Sequence, residues 1–181
     1  MLVLLDRDGV LNIERPGYIT SMDELELLPG SAEAVARLNE IGIDTALITN
    51  QSAVGRKIID RDGLELIHTR LEELLAGYGA RLDSIFVCTD PPWAATARRK
   101  PNPGMVWQAL NKFGVDPPDA VLIGDDLRDL EAAAKVGCRR ILVRTGKGRK
   151  TEAMGLPRHV LPVIIRDDLS AAVDYFLEPT H

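Results

Sequence analysis

Aromatic side chains are scarce: they make up 4% of the 181 residues. The core must therefore be aliphatic, and 45% hydrophobic residues are enough to fill one. Cysteine is nearly absent. Cys88 and Cys138 stand fifty residues apart, which suggests neither a disulfide framework nor a closed zinc site. Two reduced thiols suit a cytoplasmic protein. An excess of positive charge is also missing, since 22 Lys and Arg face 27 Asp and Glu for a net charge of -5. That argues against a broad positive field for nucleic acid. No apolar run reaches membrane-spanning length. Met1 to Leu5 is cut short by Asp6-Arg7-Asp8 and is too brief for a signal peptide. Repeats, low-complexity tracts and linkers are lacking too, so one domain over residues 1–181 is expected, as a monomer or weak homo-oligomer.

What the chain does have is alternation. Short aliphatic runs at 2–5, 43–48, 84–87, 120–123, 141–143 and 163–165 read as strands. Between them, apolar residues recur at helical spacing. Ser31 is read as the cap of a helix carrying Val35, Leu38 and Ile41. Residues 61–77 carry Leu64, Ile67, Leu71, Leu74 and Leu75 on one face. Asn102 and Pro103 read as the cap and first residue of the next helix. Leu127 to Val136 ends at Gly137. A closing helix over 168–177 has Asp167 as its expected cap, and 146–151 reads as a basic surface loop. Strands apolar throughout and separated by helices indicate an α/β fold: a single doubly wound, Rossmann-like parallel sheet with helices on both faces. With no second domain to act as a cap, Asn12 to Leu28 and the loop 89–99 are expected to shape the pocket.

Ligands of such sheets bind beyond the carboxyl ends of the strands. There the sequence places Asp6-Arg7-Asp8-Gly9, Thr49-Asn50-Gln51-Ser52, Lys100 and Gly124-Asp125-Asp126. The tetrapeptide Asp-Arg-Asp-Gly occurs twice, at 6–9 and 60–63. The second copy precedes an amphipathic helix, where Asp60 and Asp62 suit a cap and a first turn. The first follows a buried strand, where no helix end calls for carboxylates. The strand-end set fits phosphoryl transfer. A phosphate dianion repels a carboxylate, and a hard cation on oxygen ligands such as Asp6 and Asp125 offsets that repulsion; Mg2+ fits. Thr49 and Lys100 can hydrogen-bond the phosphoryl oxygens. A carboxylate nucleophile divides hydrolysis into two steps, and Asp8, beyond which Gly9 permits a sharp turn, can serve as acid and then base.

The ordered set Asp6-x-Asp8, Thr49, Lys100 and Gly124-Asp125 resembles the haloacid dehalogenase superfamily of phosphohydrolases over nearly the whole chain. The resemblance implies Asp6 as nucleophile, Asp8 as acid/base that also offers its backbone carbonyl to Mg2+, and Asp125 as a further ligand. Asp6 through Asn12, Gly17-Tyr18, Thr49 through Ser52, Arg99 through Met105 and Val143 through Lys147 are similar to a branch of sugar-bisphosphate and histidinol-phosphate phosphatases. This implies a small phosphorylated metabolite as partner, a heptose bisphosphate first and histidinol phosphate as the alternative. Asn50, Gln51, Ser52, Arg99, Gly17, Tyr18 and Asp126 are the expected substrate contacts. A non-catalytic phosphate-binding regulator is an alternative of another class. Many members of the branch hold zinc through Cys-x-His and Cys-x-Cys, where this chain has Cys88-Thr89-Asp90 and Thr96-Ala97-Arg98. No structural zinc is expected, and Pro91, Pro92 and Trp93 are expected to pack the loop instead. Gln-Ser-Gly of the branch is Gln51-Ser52-Ala53 here. Asp129 is read either as a partner that orients Lys100 or a metal-bound water, or as a first-turn acid. His68 is assigned to a helix face, His159 and His181 have no metal-ligand spacing, and Arg144, Lys147, Arg149 and Lys150 to a solvated loop.

Overall fold

The computed structural model describes residues 1–177; His181 lies outside them. Six strands form one wholly parallel sheet: β1 (Leu2–Leu5), β2 (Asp44–Asn50), β3 (Ser84–Cys88), β4 (Ala120–Gly124), β5 (Arg139–Val143) and β6 (Ile164–Arg166). Their spatial order is β3-β2-β1-β4-β5-β6. The order reverses between β1 and β4, which opens a crevice at their carboxyl ends. The helices are α1 (Ser31–Glu40), α2 (Ser52–Gly55), α3 (Arg61–Ala76), α4 (Gly104–Phe113), α5 (Leu127–Val136), α6 (Gly148–Ala153) and α7 (Leu169–Leu177).

Strand pleating explains the uninterrupted apolar runs. Val3 and Leu5 point to a core shared with α1, α3 and α7, whereas Leu2 and Leu4 point to the opposite core with α4 and α5. All four side chains are fully buried. The doubly wound arrangement read from the sequence is thus the observed one. No helix among the described residues is long and apolar enough to cross a membrane.

Several local expectations need correction. Gly30, at φ 76°, stands at the N-cap of α1, and the Ser31 hydroxyl instead donates to the Leu11 carbonyl at 2.8 Å. That carbonyl lies in the turn after β1 and also accepts from Leu28 N at 2.9 Å. Asn102 does not cap α4 either: the helix starts at Gly104, and the Asn102 amide donates to Thr96 O at 2.9 Å. Asp168 rather than Asp167 accepts from the first turn of α7, through Ala171 N at 2.8 Å. Asp167 pairs with Arg144. Part of the expected basic loop is the short helix α6. Asp60 does cap α3, accepting from Gly63 N at 2.7 Å, and Gly137, at φ 92°, ends α5.

Candidate active site

Asp6 directly follows β1, and its N–H donates to Ile123 O of β4 at 3.1 Å, which carries the parallel pairing one residue further. The chain then folds over itself. The Arg7 carbonyl accepts from Leu11 N at 2.9 Å and Asn12 N at 3.1 Å. Gly9 makes this turn possible. Its φ is 81°, and a Cβ there would lie 2.2 Å from Asp125 Oδ2. From the other side, a Cβ on Gly146 would come within 2.1 Å of the same oxygen. Two glycines therefore cradle one carboxylate.

Asp6, Asp125 and Asp129 bring ligand oxygens within 4.8 Å of one another, the one such grouping of three or more metal-binding side chains among the described residues. Burial pushes the Asp125 pKa up to about 8, and the negative charges of Asp129 and Asp6 add to the rise. Lys147 N–H donates to Asp125 Oδ2 at 2.7 Å and only partly offsets this. A carboxylate cluster of this kind fits a hard divalent cation, which supplies the compensating charge through oxygen ligands. Lys100 is the buried cation of the site. Its Nζ contacts Asp129 at 2.6 Å, Asp6 at 2.9 Å and Ile48 O at 2.8 Å. Burial opposes its charge, but Asp129 and Asp6 overcome that and raise its pKa. The two readings of Asp129 merge: one oxygen holds Lys100, and the other accepts from Asp126 N–H at the start of α5.

Asp8 lines the same cavity but has its own hydrogen-bond partners. Arg7 Nη2 reaches both its oxygens at 3.1 Å, Asn12 donates to Oδ1 at 2.9 Å, and Gln51 donates to Oδ2 at 2.8 Å. Burial works against the Asp8 anion, but Arg7, Asn12 and Gln51 outweigh it and lower the pKa. Gln51 also donates to Thr49 Oγ1 at 2.9 Å. Asn50 is tied to the backbone of Lys100, donating to its carbonyl at 2.9 Å and accepting from its N–H at 3.1 Å. Its amide thus locates Lys100, which sequence spacing does not disclose.

All the expected residues line one cavity of about 370 Å3: Asp6, Asp8, Gly17, Tyr18, Thr49, Asn50, Gln51, Ser52, Arg99, Lys100, Asp125 and Asp126. The sequence reading missed Arg7, Arg56 and Arg128, which also line it. Arg56 stacks over Tyr18 and Trp93, with ring centroids at 5.9 and 4.8 Å. Arg128 is paired with Asp126 at 2.7 Å. Arginine hydrogen bonds and charge overcome burial and bring the Asp126 pKa down to about 2. Lys147, assigned to a solvated loop, lines the cavity and pairs with Glu14. Arg7 had a signal, its place inside the motif; Arg56 and Arg128 had none.

The loop after β3 is organised by Asp90. Its carboxylate accepts from Thr96 N and Oγ1 at 2.8 and 2.6 Å, and its carbonyl accepts from Arg99 at 2.6 Å. Trp93 is 71% exposed, so the expected Trp93 packing is corrected: hydrogen bonds hold the loop. His68 lies on the buried face of α3 with Leu64, Ile67, Leu71 and Leu75, and burial together with the Arg7 charge brings its pKa down to about 4. His159 pairs with Glu131 on the surface.

A parallel sheet with clustered carboxylates at the switch point, a buried lysine and a glycine-cradled aspartate match a phosphohydrolase of the haloacid dehalogenase type. A HAD-hydrolase-like family model matches residues 97–172. The D-glycero-beta-D-manno-heptose-1,7-bisphosphate 7-phosphatase of Pseudomonas aeruginosa is 42% identical, over 98% of each chain. The corresponding enzyme of Thermosynechococcus vestitus is 40% identical, over 96% of this chain and 93% of its own. A crystal structure of D,D-heptose 1,7-bisphosphate phosphatase from Bordetella bronchiseptica, complexed with magnesium and phosphate, superposes with a TM-score of 0.92 at 41% identity over 97% of each chain. The chain belongs to the heptose-bisphosphate phosphatase family of the haloacid dehalogenase superfamily.

Proposed function

We propose that this protein removes one phosphate from D-glycero-D-manno-heptose 1,7-bisphosphate with Mg2+, and that residues 1–181 act as one hydrolase domain. The observation that carries the reading is the convergence of Asp6, Lys100 and Asp125 at the ends of β1 and β4, with Asp8 beside them. Asp6 and Asp125 offer carboxylate oxygens to the metal, and Asp8 its backbone carbonyl. When bound, Mg2+ supplies the positive charge that offsets repulsion between phosphate and Asp6. An Asp6 oxygen forms a bond to phosphorus as the ester P–O bond breaks, and Asp8, ionised in the free site and protonated from solvent as the phosphate dianion binds, gives that proton to the departing sugar oxygen. Asp8 then takes a proton from water, whose oxygen attacks phosphorus. The Asp6 O–P bond breaks, which frees phosphate and restores the carboxylate. Lys100 and Thr49 stabilise the phosphoryl oxygens.

Arg99, Arg128 and Arg56 support a bisphosphate substrate. Arg99 is nearly buried, and burial and then the charges of Arg128 and Arg56 lower its pKa. Such a concentration of guanidinium charge at one cavity suits a second phosphate, gripped in pairs of hydrogen bonds. Two buried free thiols accord with the cytoplasm. The Asp90 network is proposed to replace zinc in the loop; one tightly held zinc per chain in elemental analysis refutes that.

The decisive measurement is kcat/KM with Mg2+ for the heptose bisphosphate, histidinol phosphate and an aryl phosphate. The bisphosphate is expected to lead, and a lead for histidinol phosphate overturns the assignment. Absence of turnover on all three makes the protein a phosphate-binding regulator. Arg99→Ala is expected to reduce kcat/KM for the bisphosphate by about 10- to 100-fold, about 1.4–3 kcal/mol, with a much smaller loss on the aryl phosphate. Equal losses remove Arg99 from recognition.

A further inference from the structure

Arg7 heads the fully buried side chains by volume, at 1% exposure. Placing a guanidinium in a protein interior is costly unless it is paired and hydrogen-bonded, and an apolar residue of similar volume often serves stability better. Among the described residues its one ion-pair partner is Asp8. The pairing is a fork: Nη2 lies 3.1 Å from both carboxylate oxygens, and Nε lies 3.3 Å from Oδ1. The neighbouring Arg-Asp sequence does not impose this, because Arg61 in the second Asp-Arg-Asp-Gly copy is exposed and makes no ion pair among the described residues.

Three buried side-chain atoms among the described residues lack a hydrogen-bond partner, and all belong to the surroundings of this fork: Arg7 Nη1, Asn12 Oδ1 and His68 Nε2. Asn12 shares Asp8 with Arg7, and His68 of α3 lies close enough to feel both charges. The polar layer is therefore deep and concentrated under one carboxylate, where a stabilising core would be apolar.

We propose that Arg7 is a positioning residue that acts through Asp8: its fork fixes the carboxylate plane so that one oxygen can pass a proton to the leaving group. Arg7 does not touch the reacting atoms. Asn12 holds Oδ1 and Gln51 holds Oδ2, each through one neutral hydrogen bond, so loss of the charged fork leaves the carboxylate plane more weakly restrained against rotation about Cβ–Cγ. The inference rests on the phosphatase reading and concerns the first half-reaction, in which the Asp6 oxygen bonds to phosphorus, the ester bond breaks and the Asp8 proton moves to the leaving oxygen.

The leaving group separates positioning from structure. A sugar alkoxide needs that proton, whereas 2,4-dinitrophenolate departs without it. Rapid-mixing measurements of the phosphorylation step compare the wild type with Arg7→Met and Arg7→Lys, with a thermal melt of each. Arg7→Met is expected to slow phosphorylation by the sugar phosphate about 100-fold, yet to change the dinitrophenolate burst by less than about threefold. Arg7→Lys, with charge but no fork, is expected to show the same selectivity to a smaller degree. Equal slowing with both substrates, no slowing, or failure of both variants to fold makes Arg7 a structural residue and overturns the proposal. Absence of a phosphoenzyme in the wild type instead sinks the phosphatase reading on which it depends.

Discussion

The two Asp-Arg-Asp-Gly copies have the same covalent structure and opposite fates. At 6–9, the tetrapeptide follows a buried strand; Asp6 contacts Lys100 at 2.9 Å, Arg7 is buried, and Gly9 has a φ of 81°. At 60–63 it opens α3; Asp60 caps the helix, Arg61 and Asp62 are exposed, and Gly63 is helical. Carboxylate chemistry is thus a property of the fold around the tetrapeptide. The copies also meet through α3, which begins at the second and presents His68 to the neighbourhood of the first.

Asp6→Asn against Asp60→Asn is the harshest test of this contrast. The first is expected to reduce turnover to background while leaving the thermal melt near that of the wild type, because an amide cannot form the aspartyl phosphate. The second should retain full activity, since Asn also caps helices well. Substantial turnover in a contamination-free Asp6→Asn preparation would falsify the covalent mechanism.

The glycines give the next largest difference. Gly9→Ala forces a left-handed residue to carry a Cβ against Asp125, so about a 100-fold loss of kcat/KM is expected, with weaker Mg2+ binding in calorimetry. Gly63→Ala has only Asp60 Oδ1 to accommodate at 3.1 Å and gains helix propensity. Its stability should change by less than about 1 kcal/mol in urea melts, with activity intact. Similar losses at both positions would erase the distinction between the copies.

The last contrast concerns stability against pH and leaves turnover aside. His68 has a folded pKa of about 4 against a reference of 6.5, so the unfolded chain takes up its proton first as pH falls. Its contribution to stability is complete above pH 6.5 and is lost progressively toward pH 4, by up to about 3 kcal/mol. Urea melts of His68→Gln should show that much less acid-side loss than the wild type. Parallel stability–pH curves would mean that His68 is not held neutral beside Arg7.

Much of the site was legible before any coordinates. Asp6, Thr49 and Asp125 stand at or directly after the ends of apolar runs, and strand order in an α/β sheet carries such positions to one edge. The errors cluster where a side chain had a choice of partners. Ser31, Asn102 and Asp167 each carry cap chemistry, and each was taken instead by a carbonyl or an arginine. Lys147 looked like part of a solvated charge run, yet its N–H lies 2.7 Å from an Asp125 oxygen. Local propensity cannot weigh a competitor outside the element itself, 20 residues away for Ser31, 6 for Asn102 and 23 for Asp167.

The sequence by itself determined the succession of strands and helices, the two-faced core and the presence of carboxylates at the strand ends. These follow from apolar periodicity and from motifs contained within short stretches of chain. Only the tertiary structure decided that Arg7 turns inward onto Asp8, that Asn50 holds the backbone of Lys100, and that Arg56, Arg99 and Arg128 gather at one cavity. Parallel crossovers bring Asn50 to Lys100 and gather the three arginines from distant parts of the chain, whereas adjacent Arg7 and Asp8 pair because the turn after β1 is buried. Hydrogen bonds and charges act over a few ångströms of space, and that separation exists only once the sheet has formed.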